Sequence, residues 1–212
     1  SSGYAWPPRD VNRLAFPEPL ERLVQSLERL PGIGPRSAER IALHVLRSST
    51  DEVAELALAL RDARMQTQRC TTCGNVTLDS PCAICADDTR DSTSVCVVEG
   101  PREVAKMESA GVHGGIYHVL LDGYAPREGA EPDPSALQTL RRRVDDGLVQ
   151  EIILATAPDR EGEGAAALVL EALQGTAVSV SRLARGVPAG ARLEYLHSEI
   201  LAEAYRGRRN DA

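Results

Sequence analysis

Four of the chain's five cysteines stand close together, as Cys70-x₂-Cys73-x₈-Cys82-x₂-Cys85. In each C-x-x-C pair both thiolates can turn toward one ion, and two such knuckles complete the tetrahedral four-sulfur shell that Zn²⁺ prefers. The spacer from Gly74 to Pro81 is polar and closes on Ser80-Pro81, turn chemistry suited to joining two knuckles. Disulfides are the other use for four thiols, but they need an oxidising compartment, and no export signal is readable in these residues. The spacer is too short to build a catalytic pocket. The reading is therefore one structural Zn²⁺ per chain, held by Cys70, Cys73, Cys82 and Cys85, in an intracellular protein. Cys96 lies apart in the apolar run Val95-Cys96-Val97-Val98 and reads as a packed core thiol.

A second constellation is Leu30-Pro31-Gly32-Ile33-Gly34-Pro35-Arg36-Ser37-Ala38, set between two segments of helical periodicity. Gly32 and Gly34 permit positive φ and close backbone approach, and Pro35 pre-sets φ for a helix start. Ile33 between them would plug the turn into the core. Such a turn aims unpaired N–H groups and the positive end of a helix toward a phosphate, with Arg36 and, one turn on, Arg40 adding charge. A tight turn between two helices could use some of the same residues, but this string followed by a basic residue and Ala is the helix-hairpin-helix pattern. The reading is DNA-backbone contact by Gly32, Ile33, Gly34, Arg36 and Arg40, independent of base sequence.

A third set is acidic. Glu99 follows the run Val95–Val98, and Asp159 and Glu161 follow Ile152–Ala155 within Ala157-Pro158-Asp159-Arg160-Glu161-Gly162-Glu163-Gly164. At the carboxyl ends of parallel strands, where ligands bind, carboxylates can hold Mg²⁺. The same residues are equally natural as solvated charge at a helix N-terminus. Gly162-Glu163-Gly164 is too short for a dinucleotide loop, and no G-x₄-G-K-[ST] string occurs, so a P-loop ATPase is not supported. His44, His113, His118 and His197 are scattered without Ser, Asp or Cys partners at catalytic spacing.

The elements that must carry these sets can be read from periodicity. Leu20, Leu23, Leu27 and Leu30, then Ala38, Ile41 and Val45, then Val53, Leu56 and Leu60 recur at helical spacing, with Pro31 and Ser49-Thr50-Asp51 as breaks. From about residue 94, short β-branched runs at Val95–Val98, Ile116–Leu121 and Ile152–Ala155 alternate with helix-like segments at 102–110, 135–147 and 162–173. That alternation predicts a mostly parallel sheet with helices on its faces. The expected organisation is multidomain α/β: a loose proline-rich extension over 1–19, a helix-hairpin-helix domain over 20–69, a Cys₄ zinc finger over 70–93, a mostly parallel α/β sheet over 94–180 and a short C-terminal segment over 181–212. That last segment should hold a short helix from Glu199. The 212 residues carry a net charge of −7, which argues against a generally basic nucleic-acid binder. Any DNA contact must then be local and salt-sensitive. No run approaches the ~20 apolar residues of a membrane span.

Taken in order, the hairpin, the Cys₄ module, Val97-Val98-Glu99-Gly100-Pro101, Ile153-Leu154-Ala155-Thr156 with Glu161-Gly162-Glu163, and Ser181-Arg182-Leu183-Ala184-Arg185-Gly186-Val187-Pro188-Ala189-Gly190 resemble the bacterial RecR family of recombination mediators, over roughly residues 20 to 209. The resemblance implies a Toprim domain, a ring-like homo-oligomer, commonly a tetramer, and a non-enzymatic DNA clamp in the cytoplasm. It implies RecO and RecF as partners and loading of RecA at single-stranded gaps as the outcome. One departure stands out: the family usually has Asn-Pro-Thr-Val-Glu-Gly-Glu where this chain has Ala157-Pro158-Asp159-Arg160-Glu161-Gly162-Glu163. That string is similar to the Toprim motif of type I topoisomerases, which carries another Asp where Ala157 sits. Glu99, Asp159 and Glu161 are then expected to bind Mg²⁺ weakly or to dock a basic partner, RecO. The rival expectation is a metal-dependent Toprim nuclease or related phosphoryl-transfer enzyme, and a third is a zinc-dependent scaffold without DNA contact.

Overall fold

The computed structural model describes residues 16–120 and 133–208. Most of the expected N-terminal extension, Leu121 of the second apolar run and the end of the expected C-terminal segment lie outside the described residues. The chain divides into two compact units, the first ending at Gln66 and the second beginning at Thr67.

The first unit is three helices, α1 (Glu18–Glu28), α2 (Pro35–Val45) and α3 (Thr50–Gln66). α1 and α2 pack on one another, with Leu20, Ala38 and Ala42 buried; the two alanines on one face of α2 let the partner helix come close. Ser49 opens α3 with a reciprocal cap: its hydroxyl accepts from the Glu52 amide at 3.2 Å, and the Glu52 carboxylate accepts from the Ser49 amide at 2.8 Å. The periodicity of Val53, Leu56 and Leu60 predicts a buried face, yet α3 has no buried residue, and Leu56 and Leu60 are exposed. Leu30, at the end of the first periodic run, is exposed too, and Ile33 is only half-buried.

The second unit begins with a two-residue antiparallel ladder of β1 (Gln68–Arg69) and β2 (Val76–Thr77), which brackets the first cysteine knuckle. Then follow β3 (Asp91–Val98), α4 (Pro101–Ala110), β4 (Gly115–Val119), α5 (Pro134–Asp145), β5 (Glu151–Leu154), α6 (Arg160–Ala172), β6 (Ser179–Arg182) and, after a single 3₁₀ turn, α7 (Ser198–Arg206). β3 to β6 form an all-parallel sheet in the order β4-β3-β5-β6. Alternation sorts the central strand onto two faces. Val95 and Val97 pack with Ile152 and Leu154 of β5 against Leu140 and Val144 of α5 and Ala165, Ala166 and Val169 of α6. Cys96 and Val98 face the other way, against Val104 of α4, Tyr117, Val119 and Ile84 of the cysteine module. The fold is the multidomain α/β arrangement that the alternation predicts. The chain leaves β3 for β4 on one side and later returns to β5 on the other, which makes the carboxyl ends of β3 and β5 the topological switch point. The strand β6 has no counterpart among the predicted runs, because Ser-Val-Ser-Arg contains a single apolar residue.

Candidate functional site

The two turns of the cysteine module are closed by local backbone bonds. The Gly74 amide donates to the Cys70 carbonyl at 2.9 Å and the Ala86 amide to the Cys82 carbonyl at 2.9 Å, closing the two knuckle turns. Gly74 adopts φ +76°, which favours glycine, and an added Cβ would meet the Val119 carbonyl at 3.2 Å. The Val119 amide donates to the Cys73 carbonyl at 2.8 Å, fixing the module to the end of β4. The sulfurs of Cys70, Cys73, Cys82 and Cys85 all lie within 4.8 Å of one another, and those of Cys73 and Cys82 are 3.6 Å apart. A tetrahedral site with metal–sulfur bonds of about 2.3 Å requires sulfurs roughly 3.8 Å apart, so the cluster is of the right size. Cys73 is held far above the usual thiol range, first by its hydrogen bond with Cys85, then by burial and the negative charge of Cys85 and Cys70. Burial acts on Cys70 in the same sense, but amides of Cys82, Cys73 and Thr72 donate to its sulfur and bring it down to about 6. Four thiolates at this separation need a cation, and the set can hold a metal ion. Among the described residues no other group of His, Cys, Asp and Glu gathers its ligand atoms in this way.

In the hairpin, Gly32 has φ +79° and the Ile33 amide donates back to the Leu30 carbonyl at 3.1 Å, turning the chain in the space of two glycines. Gly34 then caps α2 with no side-chain acceptor, and the first turn of α2 carries no carboxylate. The positive end of α2 is therefore presented to solvent without internal neutralisation. Arg36 and Arg40 are both exposed, one turn apart on the same helix, and neither is engaged in an ion pair with another described residue. This edge can accept a phosphate.

The acidic residues sit at the switch point. Glu99 follows β3 and its carboxylate accepts from the Ala157 amide at 2.8 Å, so it reaches across to the loop after β5. Asp159 caps α6, accepting from the Gly162 amide at 2.8 Å, and Glu161 lies exposed in the first turn. Gly162 is needed here: a Cβ would come within 2.1 Å of the Ala157 carbonyl oxygen. The three carboxylates thus border one loop, with two of them hydrogen-bonded to backbone amides, and their ligand atoms do not close into a metal-sized group.

A family model described as RecR, helix-hairpin-helix, matches residues 20–64, and one described as Toprim domain matches residues 93–184. Recombination protein RecR of Moorella thermoacetica is 42% identical over 193 residues, covering 91% of this chain and 97% of its own. The chain belongs to the RecR family. The same protein from Acidobacterium capsulatum is 43% identical over 194 residues, 92% of this chain and 98% of that one. That of Rhodopirellula baltica is 44% identical over 186 residues, 88% and 94%.

Two features around these sites have no local signal in the sequence. Glu163, one turn into α6, pairs with Arg182 at 2.8 Å and with Arg185, which also reaches Glu203 of α7 at 2.9 Å. The late Arg182-Leu183-Ala184-Arg185 string therefore ties the C-terminal helix to the Toprim helix. The triplet Arg141-Arg142-Arg143 looks from sequence like a basic patch, but its members part company. Arg141 pairs with Asp145 at 2.9 Å and donates to the Ala172 and Gln174 carbonyls at the end of α6, while Arg143 turns inward. Of the three only Arg142 is exposed. Arg143 donates to the Tyr117 carbonyl at 2.9 Å and to His118 Nδ1 at 3.3 Å, and His118 in turn donates from Nε2 to the Ala136 carbonyl at 2.9 Å.

Proposed function

We propose that this chain is a DNA-binding recombination mediator of DNA repair, acting in the cytoplasm as a clamp without catalytic activity of its own. The observation that carries this is the hairpin end of α2, uncapped, free of carboxylates and flanked by Arg36 and Arg40, in a chain otherwise acidic. Backbone amides and a helix end grip phosphates and read no bases, so both single- and double-stranded DNA are ligands. Gly32, Ile33, Gly34, Arg36 and Arg40 form the contact. One Zn²⁺ per chain, held by Cys70, Cys73, Cys82 and Cys85, supplies the cross-link that a module of so few apolar residues lacks. Glu99, Asp159 and Glu161 present negative charge at the switch point to a basic surface of RecO, with Mg²⁺ bound weakly at most. The mediator works with RecO and RecF to promote loading of RecA at single-stranded gaps. The working form is a homo-oligomer, commonly a tetramer, and the exposed leucines of α3 favour that reading, since monomers rarely leave such faces uncovered.

The test is incubation with labelled single- and double-stranded DNA in Mg²⁺ or Mn²⁺. Retention without cleavage is the expected result. Metal-dependent cleavage lost in Glu99→Ala makes the chain a Toprim nuclease instead, and no retention at all leaves a zinc-dependent scaffold.

A further inference from the structure

The guanidinium of Arg143 is oriented but incompletely used. Its Nη1 is fixed by the Tyr117 carbonyl and His118 Nδ1, while Nη2 is buried and has no hydrogen-bond partner. A buried donor left unsatisfied is costly, more so when it carries charge, so native structures seldom keep one without a purpose. The position is informative. Tyr117 and His118 immediately precede Val119, whose amide holds the Cys73 carbonyl, so Arg143 is bonded to the strand on which the cysteine module is fixed. Burial lowers the pKa of Arg143, and the charges of Cys85, Cys73, Cys70 and Cys82 act against that effect.

We infer that Arg143 is the outer-sphere cation of the four-cysteine metal site, its Nη2 donating to a metal-bound sulfur and its charge offsetting the excess negative charge of the cluster. The inference rests on the reading that the four thiolates hold Zn²⁺. Four thiolates leave a divalent ion doubly negative overall, and a partly buried double charge is costly unless a fixed cation lies beside it. An N–H donated to a thiolate sulfur draws electron density from it, as outer-sphere partners do for metal ligands generally. Arginine suits the place because its planar fork can spend one arm on the Tyr117 carbonyl and His118 and keep the other for sulfur. It also stations the module by charge: α5 of the sheet domain contributes to a metal site whose ligands all come from residues 70–85.

The experiment compares the full-length parent with Arg143→Met, Arg143→Lys and Val144→Ala, the last a packing control on the same helix. Zinc per chain is measured first; a folded parent without zinc would sink the zinc reading itself and be recognised as that. Zinc is then withdrawn with graded chelator, and Co²⁺ is substituted to read the sulfur-to-metal charge-transfer band. Arg143→Met should hold zinc roughly ten- to a hundredfold more weakly and shift the cobalt band to longer wavelength. Val144→Ala should keep both near the parent. Zinc held as in the parent by Arg143→Met, an unmoved band, or an equal loss in Val144→Ala overturns the inference. Should Arg143→Met fail to fold, Arg143→Lys decides: it keeps the charge and must keep one zinc per chain, and a folded Arg143→Lys protein without zinc overturns the role.

Discussion

Backbone amides donating to its sulfur bring Cys70 down to about 6 against the effect of its burial, whereas the hydrogen bond with Cys85 and burial hold Cys73 up, and burial with the charge of Cys73 holds Cys82 up. Binding of a cation to all four is then coupled to the fold of the module. Replacing Cys82 by Ser should release the metal and, since a structural zinc can contribute about 10–16 kcal/mol to a small module, lower solubility and the melting temperature together. A soluble, fully folded Cys82→Ser protein without metal would refute the structural role. His118 offers a separate test. Burial pushes its pKa down to about 3, helped by the charges of Arg143 and Arg69 and opposed by the Ala136 carbonyl. The unfolded chain takes up a proton near its ordinary value of ~6.5 and the folded one does not, so stability must fall as pH drops from about 6.5 toward 3. The slope from this one residue is at most about 1.4 kcal/mol per pH unit. His118→Gln, which can still donate to Ala136, should show a shallower loss of urea midpoint between pH 7 and 5.5 than the parent. Parallel profiles would mean that His118 takes up its proton as readily in the folded chain as in the unfolded one, and would refute the lowered pKa.

At the scale of elements, the loop from β5 into α6 is held by contacts that require a particular glycine. Gly162 lies against Ala157, whose amide is engaged by Glu99, so the loop cannot retreat without giving up that bond. Gly162→Ala should cost about 1–3 kcal/mol, as overpacking does, whereas Gly164→Ala, with open space around it, should gain about 0.5–1 kcal/mol from helix propensity. Chemical denaturation of the two variants side by side checks the pair. The hairpin predicts differently: Arg36→Ala with Arg40→Ala should leave stability unchanged, weaken DNA of any sequence alike, and flatten the salt dependence by about one unit per arginine. Unchanged retention would move the DNA contact elsewhere. What was legible follows the same line. The cysteine knuckles, the glycine hairpin, β3, β5 and the helices α4 to α6 have local periodicity or spacing, and their placement agrees with it. β6 was not legible, because a polar strand is defined by its neighbour: Ser179 to Arg182 register on Glu151 to Leu154. Nor were Arg143 and the Arg182–Glu163–Arg185 pairs, which join residues far apart in sequence and depend on which way a side chain turns once the sheet exists.

At the scale of the molecule, the unresolved balance is between an apolar surface and an acidic one. α3 has the composition of a packed helix and the exposure of a solvated one. Leu56 and Leu60 lie one turn apart on a single face, both more than half exposed, and Met65 is 77% exposed farther along. Burying a leucine is worth about 1.5–3 kcal/mol, so a second copy covering this face gains several such increments at once. The net charge of −7 opposes association through repulsion between like molecules, a long-range term that salt screens within about 10 Å at 0.1 M. Short-range apolar contact should therefore win as ionic strength rises, while DNA binding through the hairpin weakens. The two responses to salt have opposite sign, which separates oligomerisation from DNA contact in one titration. Light scattering of the parent should give a multiple of the chain mass that persists or grows with salt. Leu56→Glu with Leu60→Glu should reduce it toward a single chain. Because α3 contributes no buried residue within one chain, that double variant should keep its helix content and its bound metal. A parent that scatters as one chain at every salt concentration would refute the covered-face reading, and a variant whose mass is unchanged would place the interface on another surface.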